Sequence, residues 1–280
     1  MRARIGRVEV GEGLPVRLMG VINVSPESFY KGSVRRSPEE VARAASEMEE
    51  QGADVIDVGA MSSAPYLETW IDEETEAERI KWALKAIRDA TDLPVSVDSF
   101  RPRPVLEALR MGAEAVNDVY GLAHLKPVLR EIAESGAALV LMARDVESGD
   151  VIEGIIRRLR ASVEAALDAG IEEERILIDP GIGFHRNHRD LKWYQVDLEI
   201  LRRLREIRAL GRPVLVGCSR KSFIGKLTGR EDPEQRLYGS IASEAIAVLQ
   251  GADVVRTHNV RETLDAVRMA SALIGRPVRG

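Results

Sequence analysis

One pattern, repeated eight times along 280 residues, constrains the fold of this chain more than any other feature. Each repeat has a short apolar run rich in β-branched residues, a polar or glycine-rich segment and an amphipathic helical stretch. The apolar runs, which we predict as strands, are Arg17–Ile22, Asp54–Val58, Pro94–Val97, Ala115–Val116, Ala137–Met142, Arg175–Ile178, Pro213–Val216 and Ala252–Val255. No linker divides the repeats, so we predict a single domain over residues 1–280 with a parallel sheet, either closed into a barrel or open and doubly wound.

The predicted helices carry apolar residues at steps of three and four, with charged residues on the opposite face. They are Pro38–Gln51, Asp72–Ala90, Pro104–Met111, His124–Ser135, Val151–Ala169, Asp197–Leu210, Tyr238–Gln250 and Arg261–Ile274. Many end beside a glycine, such as Gly52 or Gly112, and glycine supplies the left-handed turn that returns the chain to a strand.

Polar side chains follow nearly every predicted strand, and they decide between the two kinds of sheet. They include Asn23, Asp57, Asp98, Asn117, Asp179, Ser219 and Arg256. In an open sheet such residues concentrate at one switch point, whereas in a barrel all strand ends meet at one mouth. We therefore predict an α/β fold, a single (β/α)8 TIM barrel, with a short N-terminal β-hairpin over Ile5–Glu12 that covers the opposite end.

Composition excludes several classes of protein. The net charge of −5 argues against a general nucleic-acid binder, because phosphate contacts need a basic excess. No apolar run is long enough for a membrane helix and no secretory leader is recognisable, so a cytoplasmic protein is expected. The single cysteine, Cys218, excludes a disulfide framework. Arginine outnumbers lysine, and Asn and Gln are sparse, which fits a thermophile and equally fits a biased genome composition.

Three polar side chains directly after strands indicate the chemistry of the ligand. A carboxylate in such a position is costly without a partner, so Asp98 and Asp179, together with Asn117, favour a ligand rich in N–H donors. A pterin ring is one such ligand, because its aminopyrimidone edge offers two parallel N–H groups to a carboxylate. Asp57 has an equally good structural role, which is to hold the loop that it begins.

Basic side chains cluster after the seventh and eighth predicted strands, where barrels often bind phosphate. The clusters are Ser219–Lys221, before a helix-like stretch, and Arg256 with His258 at the end of the last strand. Together they predict a diphosphate site. Asn23 offers a side-chain oxygen suited to a Mg²⁺ ion that also contacts phosphates, and a structural turn is its competing interpretation.

Two apolar candidates lie near these groups. Phe184 ends the segment DPGIGF, whose glycines let the backbone approach a flat ligand, so its ring either faces an aromatic substrate or caps the core. Met142, at the end of the fifth strand, is either a core residue or an apolar wall beneath a flat ring.

These segments resemble the dihydropteroate synthases, within the wider family of pterin-binding barrels. The resemblance runs from Met19 to Val260, and the motifs MGVINVSPESF, VSVDS, AVNDV, DPGIGF, VGCSRKSFIG and RTHNV occur in the family's order. It implies a transferase of folate biosynthesis that joins 6-hydroxymethyl-7,8-dihydropterin diphosphate to p-aminobenzoate and releases diphosphate. It also implies a Mg²⁺ cofactor and a homodimer.

The resemblance assigns roles to residues at matching positions. The implied pterin-binding residues are Asp98, Asn117, Met142, Asp179 and Lys221. Those implied at the diphosphate are Asn23, which also binds magnesium, with Ser63, Arg256 and His258. Those implied at the arylamine are Ser63, Pro65, Phe184, Ser219 and Arg220. The expected catalytic residues are Asp98, Asp179, Lys221, Arg256 and His258.

The chain departs from the family pattern in two loops. The family's second loop usually reads DVGGESTRPG, whereas residues 57–66 read DVGAMSSAPY, which places Met61 at the usual Glu and Ala64 at the usual Arg. After the fifth strand the usual Met-His is Met142-Ala143. The departures affect the loop expected to close on the arylamine more than the pterin and diphosphate positions.

Three alternatives therefore stay open. The first is the same chemistry with a larger arylamine, as in methanopterin-type pathways, with which the short Ala64 is compatible. The second is a pterin-dependent methyltransferase, which has no diphosphate to bind, so the two basic clusters argue against it. The third is a non-catalytic pterin-binding protein, which would retain the pterin residues without activating a diphosphate.

Overall fold

The computed structural model describes residues 1–25, 32, 34–61 and 70–278. A hairpin of β1 (Arg2–Ile5) and β2 (Val8–Gly11) precedes eight parallel strands. These are β3 (Arg17–Asn23), β4 (Val55–Gly59), β5 (Val95–Asp98), β6 (Ala115–Asp118), β7 (Ala138–Met142), β8 (Ile176–Asp179), β9 (Leu215–Val216) and β10 (Val254–Thr257).

The eight parallel strands form a closed barrel, which confirms the predicted fold. From β3 to β8 each strand pairs with the next, and β10 pairs with both β3 and β9. A parallel bridge between Ile178 and Val214 joins β8 to the residues just before β9. Strand β9 is two residues shorter than predicted, because Pro213 has no N–H and the N–H of Val214 donates to Asp253 Oδ2 at 2.9 Å.

Helices follow the strands on the outside of the barrel. They are α1 (Pro38–Glu50), α2 (Glu73–Arg88), α3 (Pro102–Arg110), α4 (Leu129–Ser135), α5 (Val151–Asp168), α6 (Trp193–Ile207), α7 (Ser222–Thr228), α8 (Leu237–Leu249) and α9 (Val260–Leu273). The predicted start of α4 at His124 is wrong: Pro127 disfavours α-helical backbone at Lys126, and a 3-10 turn occupies Lys126–Val128. The predicted start of α6 is also late, because Gln195 accepts from the N–H of Lys192 and caps an earlier first turn.

The hairpin closes the amino end of the barrel, as predicted, although it begins at Arg2 rather than Ile5. Its buried side chains Ala3, Ile5 and Val10 belong to one apolar cluster with residues from the strands, including Met19 and Leu177. Because this end is filled with apolar side chains, the carboxyl end is left for polar chemistry. In the ranges given above, no helix is both long and apolar enough to cross a membrane.

Candidate active site

The carboxyl ends of neighbouring strands place polar side chains in one layer around the barrel mouth. In the strand register Asn23 pairs with Gly59, Gly59 with Asp98, and Asp98 with Asn117. On a later pair of strands, Met142 pairs with Asp179. Residues that are distant in sequence are thus brought to one surface by the closure of the barrel.

Arg256, on β10, connects two of these strand ends. Its Nε donates to Asp57 Oδ2 at 2.6 Å, and its Nη2 donates to Asp98 Oδ2 at 2.7 Å. Asn117 Nδ2 donates to the same oxygen of Asp57 at 3.4 Å. Asp57 is fully buried, so it anchors the Arg256 cation from below rather than only holding its own loop.

Burial moves the protonation equilibria of the site in opposite directions for acids and bases. It raises the pKa of Asp98 to about 7, although Arg256 opposes the shift, and it raises the pKa of Asp179 against the attraction of Lys221. Burial lowers the pKa of Lys221, an effect that Asp179 opposes. For Arg256, burial alone would lower the pKa, but the carboxylates of Asp57 and Asp98 outweigh it and raise the pKa. Asp98 therefore exchanges its proton near neutral pH.

The segment Asp179–Phe184 packs closely against Lys221. The ammonium of Lys221 donates to the carbonyl oxygen of Ile182 and lies 4.5 Å from the centre of the Phe184 ring. Gly183 has a φ of +86°, and a Cβ at this position would lie 2.9 Å from Lys221 Cδ. The glycine therefore permits both the backbone turn and the close approach of the lysine.

Asp197, on α6, supports this segment and was not singled out from the sequence. Its Oδ1 accepts from the N–H of Gly183 at 2.6 Å, and burial raises its pKa to about 6. The available signal was an acid on an apolar helix face, beside the buried Val196 and Ile200. A buried carboxylate in such a place needs a donor, and the glycine N–H provides one.

An apolar wall lies beside the polar groups. Met142, which is 2% exposed, forms a cluster with Met61, Phe100 and Val119, and Phe184 packs against it. Met142 is thus both buried and adjacent to the mouth, so its two interpretations from the sequence are compatible.

The end of β9 and the end of β10 meet at Ser219 and His258. The N–H of His258 donates to Ser219 Oγ at 3.2 Å. Burial, reinforced by the neighbouring Arg256 and Arg220 charges, lowers the pKa of His258 to about 3. The imidazole is therefore neutral at pH 7, and the positive charge at this end of the site comes from arginine and lysine.

Arg220 is buried and largely engaged by the protein. Its backbone has a φ of +60°, and its guanidinium donates to Asn259 Oδ1 at 2.7 and 3.0 Å and to the carbonyl oxygens of Pro233 and Glu234. These contacts hold the turn before α8. Its expected contact with the arylamine stays a prediction, as do the other roles assigned from the sequence.

Asn23 lies at the end of β3, and its carbonyl oxygen accepts from the N–H of Arg35 at 2.7 Å. The other two residues predicted at the diphosphate and arylamine, Ser63 and Pro65, lie outside the described residues. The structure therefore locates the other pterin and diphosphate candidates, and of the second loop it describes residues 57–61.

Comparison with known proteins agrees with this geometry. The family model of the pterin binding enzymes matches residues 19–258. A dihydropteroate synthase from Clostridium beijerinckii is 34% identical over 98% of this chain and 100% of its own. The Xanthomonas albilineans dihydropteroate synthase in complex with 7,8-dihydropteroate is 34% identical, with a TM-score of 0.85 over 99% of this chain and 100% of that one. The same enzyme with 4-aminobenzoic acid is 35% identical, with a TM-score of 0.86 over 99% of each chain.

The matches cover nearly the whole chain, and they include the strand ends that carry Asp98, Asn117, Asp179 and Arg256. A closed barrel with these residues at its mouth is also the architecture shared with the solved structures. The chain therefore belongs to the dihydropteroate synthase family of pterin-binding enzymes.

Proposed function

We propose that the chain condenses 6-hydroxymethyl-7,8-dihydropterin diphosphate with p-aminobenzoate to give 7,8-dihydropteroate and diphosphate. The observation that carries the proposal is the position of Arg256, a cation suited to diphosphate, within 2.7 Å of Asp98, a carboxylate suited to the pterin. The two halves of the first substrate would thus be bound side by side. The 7,8-dihydropteroate and 4-aminobenzoic acid complexes of the Xanthomonas albilineans enzyme support the same product and the same second substrate.

In this reaction the bond between the pterin methylene carbon and the diphosphate oxygen breaks, and its electron pair leaves with the oxygen. The lone pair of the arylamine nitrogen forms the new C–N bond, after which the nitrogen loses a proton. An aniline nitrogen is already neutral at pH 7, so the site needs to position the amine rather than deprotonate it.

Different described residues would bind the pterin and stabilise the departing diphosphate. Asp98, Asn117 and Asp179 would bind the N–H edge of the pterin, and the two carboxylates would stabilise the electron-poor ring as the diphosphate departs. Arg256 would take up the negative charge of the leaving group, with the neutral His258 as a hydrogen-bond partner beside it. Lys221, held next to Phe184, would contact the pterin.

Magnesium is proposed at Asn23. A Cβ built on Gly59 would lie 3.5 Å from Asn23 Oδ1 and 3.6 Å from Asp98 Oδ2, so both oxygens lie beside Gly59, and side-chain oxygens are the ligands that Mg²⁺ prefers. The described residues contain no group of three or more His, Cys, Asp or Glu side chains able to hold a metal, so substrate oxygens would complete the coordination. When bound, the ion would neutralise charge on the diphosphate.

The arylamine is proposed to lie between Phe184 and Ser219, with Arg220, Ser63 and Pro65 nearby. A larger arylamine stays the alternative, because the short side chain of Ala64 stands where the family usually has Arg. A pterin-dependent methyltransferase has no diphosphate to bind, so the basic side chains at the barrel mouth disfavour it. A non-catalytic pterin-binding protein would bind pterin without turnover.

We also propose a homodimer. Exposed apolar side chains lie on two adjacent helices, Tyr238 and Ile246 on α8 and Met269 and Leu273 on α9. Such side chains favour association with a second copy through the α8 and α9 faces. Sedimentation of the chain and of a Met269→Glu variant tests this: the variant is expected to dissociate, and a monomeric parent chain would contradict the proposal.

The function is tested by incubating the chain with the pterin diphosphate, Mg²⁺ and p-aminobenzoate and following diphosphate release. Release that depends on p-aminobenzoate is expected. Release only with a ribosylated aminobenzene phosphate would support the larger-arylamine alternative, and pterin binding without release would support a binding protein.

A further inference from the structure

Arg144, two residues after β7, is a cation at the barrel mouth that none of the roles above uses. Its guanidinium carbon lies 4.0 Å from the centre of the Tyr120 ring and 5.5 Å from that of Phe184. Its Nε donates to Asp145 Oδ2 at 3.2 Å. The side chain is only 15% exposed, so it is held within the rim rather than extended into solvent.

One donor of the guanidinium is not satisfied by the described part of the chain. Arg144 Nη1 is buried and has no hydrogen-bond partner among the residues that the structure describes. Buried N–H groups are nearly always paired, and a charged one is especially costly to leave unpaired. A ligand that brings an anionic oxygen to this position would satisfy it.

The rings around Arg144 fix its position. Asp118 accepts from the N–H of Tyr120 at 2.9 Å and from that of Leu122 at 2.5 Å, which anchors the turn that carries the Tyr120 ring. Phe100 packs against this ring, with 4.1 Å between their centres. A guanidinium stacked on a fixed ring loses little freedom when it binds a planar anion.

Arg144 also lies next to the site. The Phe184 ring, proposed to face the arylamine, has Arg144 within 5.5 Å and Lys221 within 4.5 Å of its centre. Met142 and Phe184 belong to the same apolar cluster. The guanidinium of Arg144 therefore lies beside the ring proposed to face the arylamine, next to an apolar surface that suits an aromatic ring.

We propose that Arg144 is a specificity-determining residue that pairs with an anionic group on the arylamine. The inference rests on the proposed function for the identity of the second substrate, and a carboxylate or a phosphate would satisfy the same geometry. The planar guanidinium suits either anion, because both offer two oxygens to adjacent N–H groups.

The test is a set of binding measurements by calorimetry with pterin and diphosphate present. The ligands are 4-aminobenzoate, 4-aminophenyl phosphate and the neutral 4-aminobenzamide, and the proteins are the parent chain and Arg144→Met. We expect the substitution to weaken binding of an anionic amine about tenfold or more, and binding of the amide about twofold or less. The anion that loses more identifies the group that Arg144 recognises.

A matched control is Arg158→Met. Arg158 is exposed on α5 and donates to the carbonyl oxygen of Asp145 at 2.7 Å, so its loss disturbs the same loop without removing the proposed contact. Equal weakening of anionic and neutral amines by Arg144→Met, no weakening at all, or the same selective loss in Arg158→Met would overturn the proposal. Failure of the proposed function is separate: it would appear as absent diphosphate release by the parent chain, while the binding comparison still decides the role of Arg144.

Discussion

Arg256 Nη2 donates to Asp98 Oδ2 at 2.7 Å, which joins the last strand of the barrel to the third. The contact pairs the cation proposed for the diphosphate with a carboxylate proposed for the pterin. Arg256 and Asp98 form an ion pair, and Asp57 holds the arginine from a fully buried position. A pterin diphosphate would replace this internal pair with two matched contacts, one for each charge.

Arg256→Ala is expected to lower kcat/KM for the pterin diphosphate far more than it lowers affinity for a pterin without diphosphate. Loss of a charged donor at a leaving group lowers kcat/KM by about a hundredfold or more, whereas the Kd of a pterin without diphosphate should change about threefold or less. Steady-state kinetics and calorimetry measure the two effects. Arg130→Ala, on the exposed face of α4, is the control. An equal loss of kcat/KM and of pterin affinity in Arg256→Ala would contradict the role assigned to Arg256.

Pterin binding is expected to depend on pH through Asp98. Burial raises its pKa to about 7, and only the carboxylate accepts two N–H groups, so affinity should rise as pH increases from 6 to 8 and then level off. Calorimetric titration across this range tests the prediction. Asp98→Asn should bind more weakly with little pH dependence in the same range, and a flat profile for the parent chain would contradict the role of Asp98.

Stability should depend on pH through Glu244, which lies buried on α8 and accepts from Thr263 Oγ1 at 2.8 Å. Burial raises its pKa to about 8. Because the folded state keeps this proton while an unfolded carboxyl loses it above about pH 4.3, the group's contribution to the free energy of unfolding falls as pH rises toward 8.

Glu244→Gln is expected to remove this pH-dependent fall in the free energy of unfolding. The variant should match the parent chain at pH 5 and exceed it at pH 8.5, by on the order of 1–3 kcal/mol, in urea unfolding. Glu262→Gln, exposed on α9, should show no such difference. A parent and variant that differ equally at both pH values would show that Glu244 does not titrate in this window.

Gly183→Ala separates the cost of the backbone from the contact with Lys221. Gly183 and Gly136 have φ values of +86° and +70°, but only at Gly183 would a Cβ meet a side chain, Lys221 Cδ at 2.9 Å. Both alanine variants should lose about 1–2 kcal/mol of stability, and only Gly183→Ala should also weaken pterin binding. Equal pterin affinities in the two variants would contradict the role given to Lys221.

The barrel was predictable because its signal recurs along the chain. Eight apolar runs and the polar residues after them place Asp98, Asn117 and Asp179 at the barrel mouth, and the strand register pairs Asp98 with Asn117. Helix starts were less predictable. After His124 a proline three residues later outweighs the amphipathic pattern, and near Trp193 a capping side chain lengthens the helix.

Parts of the site depend on geometry that no local pattern reveals. From the sequence, Asp57 has an equally good structural role in its own loop. In the closed barrel Arg256 lies beside it and donates to its carboxylate. Asp197 contacts Gly183, and Arg144 packs against the ring of Tyr120. Arg220 has a left-handed backbone, and its guanidinium donates to Asn259. The magnesium ion, the thermophilic origin and the cytoplasmic location stay predictions.

The stoichiometry of the reaction tests the proposed synthase activity most directly. With 6-hydroxymethyl-7,8-dihydropterin diphosphate, Mg²⁺ and p-aminobenzoate, the chain is expected to form 7,8-dihydropteroate and diphosphate in equal amounts, as followed by mass spectrometry and a diphosphate assay. Arg256→Ala should slow both products together. Diphosphate without dihydropteroate, or neither product from a folded chain that binds pterin, would contradict the proposed synthase activity.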